Sequence, residues 1–280
     1  VRVDICLGKS IIETHRLLAC KQRMQMSIVT DGWMDGMSES KKFTSVTVFI
    51  LAHKETNLLQ QTVREVLMHV EADDLEKIII VLKSDDCPAY YEANKDIDIF
   101  KSQKVETYIQ KSPTLELCIA ELPPLVESSH FVIMTADMEM YPKSVADMVA
   151  TAKCNPDKII CATKWLKDSV VEGYGFFHRL GSRALNLFIS ILFNKNIKDP
   201  VTFFQIYPTD IYKKMNFEYS RKTVFEYTVR PLKAGVGYIE IPTVYKKRTE
   251  GYSNFNLAVL INGALRYMTT AVRVRFKKMS

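Results

Sequence analysis

The sequence predicts an α/β fold: a mixed, mainly parallel sheet with helices on both faces. Three features carry that expectation. Apolar runs rich in β-branched residues recur as "TSVTVFILAH", "LEKIIIVLKS" and "HFVIMTAD", and continuous apolar strands belong to sheets buried on both sides. Segments with apolar residues at helical spacing lie between them, the alternation that builds βα units. Polar clusters, "AHKET" and "TADMEM", follow the first and fourth strands, at the edge where open α/β sheets bind ligands.

Taken in order, residues 1–40 read as an N-terminal extension. Within it, "KSIIETHRLLACKQRM" forms one amphipathic helix and "TDGWMDGMSESKK" a polar linker. Residues 41–250 form the main domain and 251–280 a basic amphipathic segment. A strand over 44–53 leads to a helix over 57–70 with Asn57 as its N-cap. A second strand spans 75–84 and a second helix 87–100. A short strand at "KVETYIQ" precedes a helix near 114–128, and the fourth strand begins at His130. The second half is less regular. It has a helix at "KSVADMVATAKCN", a strand at "DKIICATKWL", a long helix over 178–196, a strand and turn at "VTFFQIYPTDIYKKM", a helix stopped by Gly235, and a strand at "VGYIEIPTVYKKR".

Composition bounds the chemistry. The chain has 280 residues, 47% hydrophobic and 25% charged, which suits a large core. A net charge of +6 favours anionic small partners weakly, and no nucleic-acid partner is expected. The six cysteines (Cys6, Cys20, Cys87, Cys118, Cys154, Cys161) form no CxxC or zinc spacing and read as reduced core thiols of a cytosolic protein. The N-terminus lacks a signal-peptide apolar region, and no apolar run reaches the roughly 18–20 residues of a membrane span. The expected location is cytoplasmic, soluble or peripheral on the cytoplasmic membrane face.

The exit of the fourth strand is the first candidate site. Strand side chains alternate faces, so Thr135, Asp137 and Glu139 are expected to share one. Two adjacent carboxylates repel, and a divalent cation relieves that: Mg²⁺ or Mn²⁺, which suit hard oxygen ligands. An acidic turn before Pro142 is the plain alternative.

Four segments resemble, in order, the motifs of family 2 glycosyltransferases of the GT-A fold, most like polyprenol-phosphate sugar transferases of the dolichol-phosphate mannosyltransferase type. "VTVFILAHKETNLLQQTV" resembles the opening strand and its P-A-Y-N-E turn, with Leu51, Ala52, His53, Lys54 and Glu55 in the turn. "IMTADMEMYP" resembles the D-A-D metal motif, with Thr135 in place of the first acid. "NKNIKDPVTFFQIYPTDIYKKM" keeps Asp199, Thr202, Phe204 and Tyr207, with Gln205 where the family has Arg. "GYIEIPTVYKKRTEGYSNF" keeps Glu240, Pro242, Arg248, Gly251 and Ser253. The resemblance runs from Val46 to Phe255, about three quarters of the chain. The acid pair after the second strand is replaced by Leu82 and Lys83, with Asp85 or Asp86 as a shifted substitute.

The resemblance implies a metal-dependent, inverting transfer of sugar from a nucleotide-sugar donor. Asp137 and Glu139 are the expected metal ligands, and Asp137 and Arg248 the catalytic residues. Ala52, His53, Glu55, Asp85, Thr135, Asp137, Gln205 and Arg248 are expected at the donor, and Asp199, Glu226 and Ser253 on the acceptor side. Negative charge grows on the departing diphosphate, which a cation and an Arg stabilise. Where the family's hydroxyl-directed members carry a Glu-Asp pair, this chain has Thr223 and Val224. A phosphate acceptor is already ionised and needs no base, which favours a polyprenyl-phosphate acceptor. A glycan hydroxyl with Glu226 as displaced base stays open, as does a non-catalytic GT-A binding domain. Leu257, Leu260, Ile261, Leu265, Met268 and Val272 recur at helical spacing among Arg266, Arg273, Arg275, Lys277 and Lys278. That segment suits either an anionic membrane interface or a C-terminal helix packed on the sheet.

Overall fold

Val46–Ala52, seven residues buried without exception, form β1 at the middle of the sheet. The computed structural model describes residues 42–173, 175–215, 223–246 and 257–276. Chain contacts divide between Glu39 and Ser40, and every described residue belongs to the second unit. The expected helix and linker of residues 1–40 lie outside the described residues.

On one side β1 pairs in parallel with β2 (Leu75–Leu82) and on the other with β4 (His130–Thr135), Val48 standing opposite both Ile78 and Val132. β3 (Val105–Ile109) extends the sheet beyond β2, also in parallel. The second half adds β5 (Ile159–Thr163), β7 (Gln205–Pro208) and β8 (Tyr238–Pro242), giving the order β3-β2-β1-β4-β7-β5-β8. β7 runs antiparallel to both β4 and β5, whereas β5 and β8 are parallel. β6 (Val170–Val171) and β9 (Val244–Tyr245) form a separate two-stranded ribbon. The mixed, mainly parallel sheet expected from the sequence is therefore present.

Helix α1 (Asn57–His69) buries Leu59, Thr62, Val63 and Val66, the i, i+3, i+4, i+7 stripe of a helix lying on a sheet. Its N-cap is Thr56 rather than Asn57, and no side chain closes the cap. Helix α2 (Pro88–Ala93) is much shorter than the expected 87–100. Asn94 donates from its amide to the Tyr90 carbonyl at 2.8 Å, and the chain then proceeds through turns. Helix α3 (Leu115–Glu121) starts at Thr114, whose hydroxyl accepts from the Leu117 N–H. It ends early because Pro123 and Pro124 supply no N–H, leaving a 3₁₀ turn over Pro123–Leu125.

Helix α4 (Lys143–Cys154) follows β4, and α5 (Phe176–Phe193) stops at Asn194, which turns left-handed at φ 50°. A short helix, α6 (Thr209–Lys214), takes the place of the expected turn after β7. Helix α7 (Thr223–Lys233) leads to Gly235 at φ 90°, the residue expected to stop it. α8 spans Leu257–Phe276.

One sheet face carries the aliphatic core of β1, β2, α1 and α4. The other carries an aromatic cluster. Phe131 stacks on Tyr207 at 5.0 Å, Tyr212 donates to the Tyr227 carbonyl, and Tyr227 donates to the Ile119 carbonyl at 3.1 Å. A second core joins α5, α7 and α8 through Ile189, Phe193, Phe225, Val229, Ala271 and Val274. The C-terminal helix thus packs on helices, by way of its Ala271–Val274 side.

Candidate active site

β4 ends at Thr135, and the alternation expected for Thr135, Asp137 and Glu139 ends with it. The Ala136 N–H still donates to the Leu51 carbonyl at 3.0 Å, holding the exit of β4 beside that of β1. Asp137 then accepts on one oxygen from the Thr135 hydroxyl at 2.6 Å and from the Glu139 N–H at 3.1 Å. That bond pattern is an Asx turn, and Met138 completes it at φ 59°. Glu139 is carried elsewhere. Its carboxylate accepts from the Tyr245 hydroxyl at 2.6 Å, and its carbonyl accepts from the Lys246 N–H at 3.1 Å. The expected pair is split: Asp137 faces a cavity, while Glu139 is held by β9. A left-handed turn, invisible to strand periodicity, is the cause.

The cavity has a volume of about 330 Å³ and lies beyond the carboxyl ends of the parallel strands. Leu51, Ala52 and His53 reach it from β1, Val81 and Lys83 from β2, and Thr135 and Asp137 from β4. The loop after β3 adds Gln110, Pro113 and Leu115. Of the expected donor residues, Ala52, His53, Glu55, Thr135 and Asp137 are brought together here. Glu55 is turned back on its own loop, one carboxylate oxygen accepting from the His53 N–H at 2.8 Å and the Lys54 N–H at 3.0 Å. Asp85 is exposed and does not line the cavity. Its neighbour Asp86 acts on His53, after Glu55. Gln110 and Lys83 were missed as site residues, yet both stand at the carboxyl ends of predicted strands and so sit at the ligand-binding edge. Strand position was the signal for them.

Charges of both signs meet in this cavity. Burial lowers the His53 pKa from its ordinary 6.5, and the Lys83 and Lys54 ammonium groups lower it further against Glu55 and Asp86. The neutral ring is thereby favoured. Among the described residues, no three His, Cys, Asp or Glu side chains are grouped to hold a metal ion. The donor set does not make a resident metal site. It fits a hard cation that arrives with a diphosphate, since Mg²⁺-type sites commonly use one or two carboxylates plus substrate phosphates. Asp137, 4% exposed at the cavity wall, is the carboxylate placed for that.

The remaining expected acids lie in closed networks. Asp199, 2% exposed, pairs with the Lys164 ammonium at 3.5 Å and lines a void of about 10 Å³ with Met140, Thr202 and Tyr245. Burial raises its pKa against the pull of Lys164. The Lys164 ammonium also lies 5.1 Å from the Tyr245 ring centre, so Asp199, Lys164, Tyr245 and Glu139 form one chain of contacts. Glu240 accepts from the Asp199 N–H at 2.8 Å and fixes that segment. Gln205, expected at the donor, is fully buried, with its amide bonded to the Thr202 carbonyl, Thr228 and Tyr238. Glu226, expected on the acceptor side, is fully buried between Arg230 at 2.6 Å and Arg273 at 2.7 Å. An acid clamped by two guanidiniums joins α7 to α8 and is not placed as a base. Arg248 and Ser253 lie outside the described residues.

The fold is the GT-A fold seen in glycosyltransferases. No family model matches the sequence. The likeness is to solved structures. Glucosyl-3-phosphoglycerate synthase from Mycobacterium tuberculosis, in complex with Mn²⁺, UDP and glucosyl-3-phosphoglycerate, superposes with a TM-score of 0.59 at 11% identity, covering 83% of this chain and 80% of that one. The same enzyme with UDP gives 0.58 at 12% identity over 91% and 88%. A further mycobacterial protein gives 0.61 at 11% identity over 83% and 74%.

Proposed function

We propose that the chain is a nucleotide-sugar-dependent, inverting glycosyltransferase of family 2 type, acting on a phosphate-bearing acceptor of the polyprenyl-phosphate class. The observation that carries this reading is Asp137, a buried carboxylate fixed at the wall of the cavity beyond β1, β2 and β4. Of the similar structures named above, one was solved with Mn²⁺ and UDP and one with UDP, and a further structure of the same enzyme holds Mn²⁺, UDP-glucose and phosphoglyceric acid. A nucleoside diphosphate with Mn²⁺ or Mg²⁺ is the ligand chemistry that suits a buried carboxylate in this position, Glu55 being turned back on its own loop.

In the proposed reaction an acceptor phosphate oxygen attacks the anomeric carbon. The bond from that carbon to the diphosphate breaks, and the nucleoside diphosphate leaves. A bound divalent cation would neutralise charge building on the leaving group. Asp137 would hold that cation, and Lys83 would add a positive charge at the same wall. Ala52, His53 and Gln110 would bound the nucleoside. Arg248 would follow β9, whose Tyr245 is anchored to Glu139, as is Lys246 just after it. A phosphate acceptor agrees with the acids of the second half, since Asp199 and Glu226 are both engaged by cations. Transfer to a glycan hydroxyl would require one of them as base. A cytoplasmic location at the membrane face follows from a lipid acceptor.

The test is donor turnover. The protein with Mn²⁺ and polyprenyl phosphate should release diphosphate from one of the UDP-, GDP-, CDP- or dTDP-sugars and glycosylate the lipid. Consumption of none of them contradicts the enzymatic reading. A second reading, binding without turnover, is favoured by Lys83 standing where the family has acids. Tight diphosphate binding with no donor consumed would select it.

A further inference from the structure

We propose that the face shared by α5 and α8 docks on an anionic lipid surface. On α5, Leu180, Leu187 and Ile191 are exposed, Ile191 at 70%. They recur at seven and four residues, so they form one stripe along the helix. On α8, Leu265, Val272 and Phe276 repeat that spacing, with Phe276 exposed at 74%. The two stripes adjoin. Arg275 donates from its guanidinium to the Leu192 carbonyl at 3.1 Å, and the chain neighbours of those two residues are Phe276 and Ile191. The inward sides of both helices are already satisfied in a common core. What remains on each helix is an apolar stripe turned away from that core, the two helices being joined where Arg275 reaches Leu192.

Charge selects the occupant. Neither Phe176–Phe193 nor Leu257–Phe276 contains an Asp or Glu. Arg179 and Arg183 accompany the α5 stripe, and Arg266 and Arg275 the α8 stripe, Arg273 being turned to the buried Glu226. An amphipathic surface with only cations beside its apolar strip matches an anionic interface, where buried apolar area and electrostatic attraction add. A second copy of the chain fits poorly, because a two-fold contact would bring this cationic face against itself. No helix among the described residues is long and apolar enough to cross a membrane, so the contact is interfacial. The proposal goes beyond sugar transfer and holds whether or not the chain turns over a donor.

Co-sedimentation of the full chain with phosphatidylcholine vesicles, with and without phosphatidylglycerol, tests it. Binding should appear on the phosphatidylglycerol vesicles and weaken with salt. The double variant Ile191→Glu, Phe276→Glu should lose it by at least about tenfold, whereas Met68→Glu, at an exposed apolar residue of α1, should not. Arg266→Glu should weaken it separately through charge alone. Donor-nucleotide binding should be unchanged in all three variants, which shows that they fold. No sedimentation of the unmodified chain, equal sedimentation with neutral vesicles, or undiminished binding by the double variant overturns the proposal. A dimer in sedimentation velocity that the double variant dissolves, without vesicle binding, also overturns it and assigns the face to a second copy.

Discussion

The two halves of the sheet treat their acids differently. In the half made of β1 to β4, strands run parallel and their ends open into a cavity of about 330 Å³ walled by Asp137, Glu55 and Lys83. In the half made of β5, β7 and β8, Asp199, Glu226 and Glu240 are folded into closed networks with Lys164, Arg230, Arg273 and backbone N–H groups. The difference follows from topology. Parallel strands joined by crossovers leave a common open edge, and the antiparallel insertion of β7 interrupts that edge. One half leaves its strand ends open and the other holds the helices around it.

The sharpest way to break this contrast is to remove an acid from the closed half. Glu226→Ala should lower stability in urea unfolding by about 3 kcal/mol, because Arg230 loses a buried partner, and should leave nucleotide affinity unchanged. Lys164→Met should cost roughly 2 kcal/mol. Asp199 has its pKa raised by burial, so removing the cation should make the loss grow as pH rises through that pKa and vanish below the ordinary 3.8 of Asp.

In the open half the effects should fall on ligands. Thr135→Asp replaces the hydroxyl that donates to Asp137 at 2.6 Å with a second carboxylate. Without metal it should destabilise by about 1 kcal/mol, and with Mn²⁺ and diphosphate the melting temperature should recover to that of the unmodified protein or above. His53 gives the smallest effect. Its pKa lies below 6.5, so the folded state holds it neutral where the unfolded chain is already taking up protons. Its contribution to stability is thus present at neutral pH and lost as pH falls below 6.5. A diphosphate in the cavity should raise that pKa, so affinity should gain with falling pH relative to His53→Ala. NMR titration of the ring, with and without ligand, measures both.

The open half was also the legible one. β1, β2 and β4 are apolar runs that periodicity finds, and being parallel they place Ala52, His53, Lys83 and Asp137 at one edge. The closed half depends on long-range pairing that no local pattern reports. Tyr245 reaches back to Glu139 across 106 residues, and Arg273 reaches Glu226 across 47. Glu139 read as a metal ligand because strand alternation was extended through Met138, where the chain turns left-handed. Residues 209–214 read as a turn because a helix of six residues offers too few positions for a 3.6 period to show.

The central claim is that Asp137 makes the cavity a site for a metal-bound diphosphate. Isothermal titration of the unmodified protein with UDP, GDP, CDP and dTDP, each with Mn²⁺ and then with chelator, tests it most directly, with Asp137→Asn run alongside. The asparagine keeps an oxygen to accept from Thr135 and Glu139, so the turn survives and the charge alone is removed. One nucleotide should bind with Mn²⁺ and lose at least about tenfold in affinity, roughly 1.4 kcal/mol, on chelation and again in the variant. Equal binding with and without chelator, or an Asp137→Asn variant that binds as the unmodified protein does, would contradict the account.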